Sequence, residues 1–238
     1  MLGTPRLHLR SVDSTNARAQ RLATAGAAHG TLVTAEAQTA GHGRQGRTWV
    51  TPAGRALACS LVLREPPRLL PMLAALAVAD VAAQFDRAGR SPRIKWPNDV
   101  LLDGRKVAGI LAEGRPQEGW VVLGIGVNVA VEESAFPPEL RALATSLGRT
   151  PDDLEDVLAA LLAALGRWLA ATPEDAMAAY RARDALAGRT ISWNGGRGTA
   201  LGVADDGRLR VRPDDGTGHG DELLLDAGEV HLGSGPRG

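Results

Sequence analysis

The chain has 238 residues, of which 44% are hydrophobic and 23% charged, a composition typical of a soluble globular protein with one large domain or a large and a small one. Its 27 basic and 27 acidic residues cancel, which argues against binding nucleic acid or acidic membranes over the whole surface but leaves room for a local basic patch. A single cysteine, Cys59, excludes a disulfide framework, and no apolar run has membrane length. We therefore expect a cytoplasmic protein.

The first half of the sequence predicts strands and helices around one long loop. An alanine-rich helix follows an Asp-Ser-Thr-Asn segment that can cap it. Two short strands follow, with a long glycine-rich loop between them. A pair of prolines ends the second strand and precedes a strongly apolar helix. The predicted elements are a helix over 17–27, a strand over 31–37, a loop over 38–55, a strand over 56–64 and a helix over 70–88.

The second half begins with a predicted hairpin. Residues 93–96 form a short strand that Pro97 stops, and an Asp-Gly-Arg turn joins two apolar strands over 99–102 and 106–113. Further predicted elements are a strand over 119–131 with glycine-driven irregularity and helices over 137–147, 152–171 and 174–186.

The pattern changes after Gly188. Short alternating strands separated by Asn-Gly-Gly and Asp-Asp-Gly turns predict a small all-β unit, an SH3-like barrel. The predicted domains are therefore 1–187 and 188–235, followed by a frayed tail.

Lysine is rare in this chain, which has 25 Arg and two Lys. Both lysines, Lys95 and Lys106, lie in the segment KWPNDVLLDGRKVAGILAE over 95–113. Past the hairpin turn, the compact ammonium of Lys106 could reach a carboxylate or phosphate oxygen where a planar guanidinium would not fit. An exposed strand-end lysine is the alternative, and the chain's preference for arginine disfavours it.

The loop QTAGHGRQGRTW over 38–49 has the composition of an anion-binding loop. Glycines at 41, 43 and 46 let the backbone approach a ligand, and Arg44 and Arg47 are donors of the kind that clamp phosphates. A flexible solvated loop is the alternative. The loop is neither a Walker A nor a Rossmann motif, because no Gly-Lys-Ser/Thr follows and no helix starts directly after the glycines.

Asparagines and one aspartate offer further candidates. Asn98 and Asp99 supply oxygens for a Mg²⁺ site, or are ordinary turn residues. The amides of Asn16 and Asn128 suit a ureido group or an adenine edge, with local capping as the alternative. No Ser-His-Asp arrangement is found, and the five histidines lack metal-ligand spacing.

Taken together, DSTN (13–16), AEAQTAGHGRQGRTW (35–49), the segment 95–113 and GIGVNV (124–129) closely resemble the biotin protein ligases in order and spacing. The resemblance implies an α+β fold: a catalytic domain like the class II aminoacyl-tRNA synthetases, with a mixed sheet and flanking helices, and a C-terminal SH3-like barrel. It implies a two-step reaction. Biotin attacks the α-phosphate of MgATP, giving biotinyl-5′-AMP and pyrophosphate, and a lysine of a biotin carboxyl carrier domain then takes the biotinyl group and releases AMP.

The resemblance also assigns residues position by position. Lys106 and Arg44 take the catalytic role, Lys106 between the biotin carboxylate and the α-phosphate and Arg44 on the adenylate. The implied biotin-binding residues are Ser14, Thr15, Asn16, Gln38, Gly41, His42, Gly43, Arg44 and Lys106. The implied ATP-binding residues are Arg44, Arg47, Trp49, Lys95, Asn128 near adenine, and Phe136, which could supply an aromatic wall.

Two departures from the family pattern are visible: His42 and Gln45 stand where many relatives have basic residues. The sequence has no room for a helix-turn-helix ahead of Ser14, so we expect no DNA-binding domain and no DNA binding. A homodimer of the kind common in the family stays open. The alternatives are a lipoate or octanoate ligase of the same superfamily, or a non-catalytic biotin-binding adaptor, which the retained lysines and loop disfavour.

Overall fold

A computed structural model describes residues 1–49, 51–214, 221–226 and 230–232, which form four helices and two β-sheets. The first sheet is mixed, because β1 runs parallel to β2 while the other neighbouring strands are antiparallel. Its strands lie in the order β1-β2-β3-β7-β6-β5-β4. They are β1 (Arg6–Val12), β2 (Leu32–Gln38), β3 (Ala56–Arg64), β4 (Pro92–Lys95), β5 (Asp99–Leu102), β6 (Arg105–Arg115) and β7 (Trp120–Asn128).

Helices cover both faces of this sheet. They are α1 (Thr15–Thr24), α2 (Leu70–Phe85), α3 (Leu154–Leu169) and α4 (Pro173–Ala182). Successive residues of a strand point to opposite faces, so Cys59 and Leu61 pack into the main core with α2, whereas Val62 packs with Ala19 of α1. The strongly apolar α2 is buried because it contacts β4, β5 and β6 on one side and α3 and α4 on the other. No helix in the described part of the chain is long and apolar enough to cross a membrane.

The second sheet is antiparallel, in the order β11-β10-β9-β8-β12. Its strands are β8 (Thr190–Trp193), β9 (Gly196–Val203), β10 (Leu209–Pro213), β11 (Leu223–Leu225) and β12 (Val230–Leu232). Its apolar side chains, among them Ile191 and Val211, join the main core. The indole of Trp96 donates a hydrogen bond to Gly207 O at 2.9 Å, linking the β9–β10 turn to the first sheet. The predicted frayed tail lies outside the described residues.

The predicted helix over 137–147 is wrong. The structure has a short 3-10 turn at Pro138–Leu140, and the following residues run beside β6 instead. Lys106 N donates to Leu143 O at 2.7 Å, and Thr145 N donates to Lys106 O at 2.9 Å. These tertiary hydrogen bonds satisfy backbone groups that a helix would have paired locally, and they override helical propensity.

Most other elements match their predictions within a few residues. Strand β3 and the hairpin β5–β6 lie where the sequence predicts them, and Ser14 caps α1 by accepting from Ala17 N at 3.4 Å. Helices α2 and α4 end earlier than predicted, at Phe85 and Ala182. The predicted α+β class, with a large mixed sheet and a second β unit, is confirmed.

Candidate active site

One cavity of about 790 Å³ lies against the face of the first sheet that carries α1. Of the residues assigned to a ligand or metal from sequence, Gly41 alone does not line it. An added Cβ on Gly41 would come within 2.6 Å of Trp49 O, so glycine lets the loop backbone pack closely there. The cavity brings together Ser14, Thr15, Asn16, Gln38, His42, Gly43, Arg44, Arg47, Trp49, Lys95, Asn98, Asp99, Lys106, Asn128 and Phe136.

Alternate residues of β7 form the floor. Gly124, Gly126 and Asn128 share one face, so the floor is about 13 Å long at the usual rise of a strand. A Cβ on Gly124 would overlap the Asn16 amide oxygen, and a Cβ on Gly126 would come within 2.7 Å of the Trp49 ring. Glycine at these two positions therefore lets side chains lie directly on the strand. Their role was not predicted from the sequence, although two glycines spaced by two in a strand are a signal for it.

A hydrogen-bonded network closes one end of the floor. The backbone N and Oγ1 of Thr15 donate to Gln38 Oε1 at 2.8 and 3.1 Å. Ser60 Oγ lies 2.9 Å from Thr15 Oγ1 and 2.7 Å from Asn16 Oδ1. Asn16 Nδ2 donates to Glu113 Oε2 at 2.8 Å. Donors and acceptors are thus fixed at this polar end, and Ser60 and Glu113 are members that the sequence analysis did not identify.

Lys106 lies near the middle of the floor. The β5–β6 hairpin carries both Lys106 and Asp99, and Nζ of Lys106 lies 2.6 Å from Asp99 Oδ1. The same ammonium lies 5.6 Å from the centroid of the Trp49 ring, within cation–π range. A Cβ on Gly109 would come within 3.0 Å of Nζ, so glycine leaves room for the lysine tip. The ammonium is held in one place by a carboxylate, a ring and a glycine.

Further cations surround this point. Burial lowers the pKa of Lys95; nearby Asp99 opposes that change, and the positive charges of Lys106 and Arg47 add to it. Burial also lowers the pKa of Arg44, and the negative charge of Asp99 opposes that change. The Arg44 guanidinium forms no hydrogen bond or ion pair with the described residues. Crowded, partly desolvated cations are destabilised on their own, so this part of the cavity favours a multiply charged anion.

The other end of the floor offers an amide and an aromatic ring. Asn128 Nδ2 donates to Thr145 O at 2.9 Å, while its buried Oδ1 has no hydrogen-bond partner among the described residues. Phe136 is 5% exposed and packs with Ala56, the β3 residue opposite Asn128. Both Phe136 and His231 of β12 line the cavity. A buried acceptor without a donor costs free energy, which a ligand N–H would recover.

The two residues of the predicted metal site are both engaged. Asn98 Nδ2 donates to Ile110 O at 2.7 Å, tying the turn after Pro97 to β6. Asp99 is paired with Lys106. The described residues contain no cluster of three His, Cys, Asp or Glu side chains able to hold a metal ion. One carboxylate and one amide oxygen therefore stay as the candidate protein ligands.

The fold and this cavity define a member of the biotin/lipoate A/B protein ligase family: its family model matches residues 8–129, and the chain belongs to it. Within the family, the chain is 38% identical to the biotin–[acetyl-CoA-carboxylase] ligase of Paracoccus denitrificans, over 94% of this chain and 99% of that protein. It is also 42% identical to the bifunctional ligase/repressor BirA of Bacillus subtilis, over 61% of this chain and 46% of that protein. The chain thus spans about half the length of its Bacillus relatives.

Solved structures show the same fold. The biotin protein ligase from Aquifex aeolicus in complex with biotin and ATP superimposes with a TM-score of 0.80. The two chains are 26% identical, and the match covers 98% of this chain and all of that one.

Proposed function

We propose that the chain is an ATP-dependent biotin protein ligase. It would form biotinyl-5′-AMP from biotin and ATP and then biotinylate a lysine of a biotin carboxyl carrier domain. The observation that carries the proposal is the place of Lys106, midway along a floor with a hydrogen-bonding network at one end and an unpaired amide acceptor at the other. The family and the full-length match to the Paracoccus ligase support it.

In this proposal the polar end binds the biotin ureido ring. Ser14, Thr15, Asn16 and Gln38 offer both donors and acceptors there, which a ureido group needs because it has two N–H donors and one carbonyl acceptor. The backbone at His42 and Gly43, which line the cavity, would cover the ring. The apolar tail would run beside the Trp49 ring, which lies on the glycine floor, toward the Lys106 ammonium.

The joining step brings a carboxylate to a triphosphate, and both are negatively charged. The carboxylate oxygen forms a bond to the α-phosphorus while the bond to the pyrophosphate oxygen breaks. Lys106 would bridge carboxylate and α-phosphate, while Lys95, Arg44 and Arg47 neutralise the phosphates. In the second step a carrier lysine amine attacks the acyl carbonyl, loses a proton and displaces AMP. The loop over 38–49 would keep water from the adenylate.

The adenine would lie at the Asn128 end. The unpaired Oδ1 of Asn128 can accept from the adenine amino group, and Phe136 would flank the ring. We place Mg²⁺ with the ATP phosphates, with Asp99 and the Asn98 amide oxygen as its protein ligands. This donor set fits Mg²⁺, which commonly takes one or two carboxylates and completes its coordination with phosphates and water. When bound, the ion supplies charge neutralisation at the phosphates.

We extend the proposal to the domains. Residues 1–187 form the class II synthetase-like catalytic domain, and residues 188–235 form the SH3-like barrel. The mixed sheet of β1–β7 and the five-stranded antiparallel sheet of β8–β12 support this division. The carrier domain is the macromolecular partner in this proposal, and a cytoplasmic location and a homodimer stay predictions.

The test is exchange of labelled pyrophosphate into ATP. We expect exchange that depends on biotin and not on lipoate or octanoate, followed by biotinylation of an added carrier domain. Exchange driven by lipoate or octanoate would instead assign the chain to that branch of the family. Biotin binding without exchange would favour the non-catalytic adaptor.

A further inference from the structure

Glu113 on β6 lies beside the polar end of the floor, where one oxygen takes contacts from two segments of the chain. Its Oε2 accepts from Asn16 Nδ2 at 2.8 Å and from Gln20 Nε2 at 3.0 Å, both on α1. His42 Nε2 of the glycine-rich loop lies 3.4 Å from the same oxygen. The Glu113 carboxylate therefore joins α1 to the glycine-rich loop.

The first consequence concerns the orientation of the Asn16 amide. Its Nδ2 faces the Glu113 carboxylate, and its Oδ1 lies 2.7 Å from Ser60 Oγ. A carboxylate only accepts hydrogen bonds, so a flipped amide would turn its oxygen against Glu113 and lose that contact, whereas the Ser60 hydroxyl can pair with either amide atom. Glu113 thus decides which amide atom of Asn16 lies against the glycine floor.

The second consequence concerns the loop. Besides the contact with Glu113, His42 forms a backbone bridge with Thr48, across the turn that contains Arg44. When its Nε2 carries a proton, His42 donates it to Glu113 and holds the base of this turn against β6. Losing this contact would free the loop without removing any of its own residues.

We propose that Glu113 is a positioning residue of the biotin end, which fixes the amide orientation of Asn16 and holds the glycine-rich loop through His42. The inference rests on the proposed biotin ligase function and adds a residue that contacts neither ATP nor the reacting atoms. It implies an effect on biotin and little effect on the nucleotide.

The test is Glu113→Gln, measured by biotin-dependent pyrophosphate exchange. Glutamine keeps the size of the side chain, but its amide can donate as well as accept, so it no longer enforces one orientation of Asn16. We expect the KM for biotin to rise about ten- to hundredfold, the range for a lost hydrogen bond to a charged group, and the KM for ATP to stay within about twofold. Glu118→Gln is the matched control, because Glu118 pairs with Arg115 and Trp120 at the far end of the β6–β7 hairpin.

A double-variant cycle separates positioning from a general effect on the fold. In an Asn16→Ala background, Glu113→Gln should add much less to the biotin KM than it does alone. Amide hydrogen exchange over residues 41–49 should be faster in Glu113→Gln than in Glu118→Gln. If the wild-type protein shows exchange, an unchanged biotin KM in Glu113→Gln would overturn the inference. Equal rises in the KM for biotin and the KM for ATP would also overturn it. A wild-type protein without biotin-dependent exchange would overturn the proposed function, and this inference with it.

Discussion

The ammonium of Lys106 lies 2.6 Å from the carboxylate of Asp99, across the hairpin formed by β5 and β6. The pair is only partly exposed, so solvent does not fully screen it. Asp99 directs the lysine tip along the floor of the cavity and keeps it from lying in solvent. In a chain with 25 Arg and only one other Lys, this gives a physical reason for a small point charge at position 106.

Lys106→Arg should lose most adenylate formation. The guanidinium is larger and planar, and the space above Gly109 is already filled by the lysine tip. A misplacement of about 1 Å at a reacting centre can cost about 100-fold, and we expect a loss of that order in biotin-dependent exchange. The matched control is Arg105→Lys, the reverse exchange at the neighbouring residue, whose ion pair with Glu133 is largely exposed. Wild-type exchange in Lys106→Arg would remove Lys106 from the joining step.

Arg44→Gly should release biotinyl-5′-AMP early. The Arg44 guanidinium is partly buried and forms no hydrogen bond or ion pair with the described residues, so it is available to an anionic ligand. We expect the dissociation rate of the adenylate to rise about tenfold or more, with stray biotinylation of lysines on a bystander protein. Gln45→Gly is the control, because Gln45 has a φ of 57°, which glycine adopts without strain. Equal stray labelling in both variants would trace the effect to loop flexibility and not to the Arg44 charge.

Gly126→Ala should weaken biotin binding. The new methyl group would come within 2.7 Å of the Trp49 ring, so the ring must leave the floor or the strand must shift. We expect about a tenfold loss of biotin affinity by calorimetry. Gly166→Ala in α3 is the control, since nothing lies within 4 Å of its added Cβ and alanine favours a helix. Unchanged biotin affinity in Gly126→Ala would show that the Trp49 position plays no part in binding.

The sequence predicted much of this arrangement because local rules govern it. Turn chemistry placed the β5–β6 hairpin, and the Asp-Ser-Thr cluster predicted a capped helix after it, which begins two residues earlier than expected, at Thr15. The prediction of a helix over 137–147 was wrong because residues 143–145 pair with β6, more than 30 residues away in the sequence. Local helix propensity contains no information about such a distant partner. Glu113 and Ser60 escaped notice for a similar reason: each gains its role from contacts with α1, and neither belongs to a polar cluster in the sequence.

Asp184 should make stability depend on pH. It is 4% exposed between the first and second sheets, with Oδ1 accepting from Leu186 N at 2.8 Å and Oδ2 without a hydrogen-bond partner in the described part of the chain. Burial raises the pKa of this carboxyl above its usual value of about 3.9, although backbone hydrogen bonds oppose the shift. The folded state therefore binds the proton more tightly than the unfolded state. The resulting stabilisation is complete below about pH 3.9 and is lost as pH rises through the folded pKa.

Asp184→Asn removes this titration but keeps an acceptor for Leu186 N. We expect the variant to gain stability relative to wild type as pH rises from about 4 to 7, by about 1.4 kcal/mol for each unit by which the pKa is raised. Urea unfolding of both proteins across this pH range measures the difference in their free energies of unfolding. Carboxyls present in both proteins contribute equally and drop out of this difference. Asp205→Asn is the control, because Asp205 is an exposed carboxylate whose pair is Arg181. The free energies of unfolding of Asp184→Asn and wild type could instead differ by a constant amount across this pH range. Asp184 would then have the same pKa in the folded and unfolded chains.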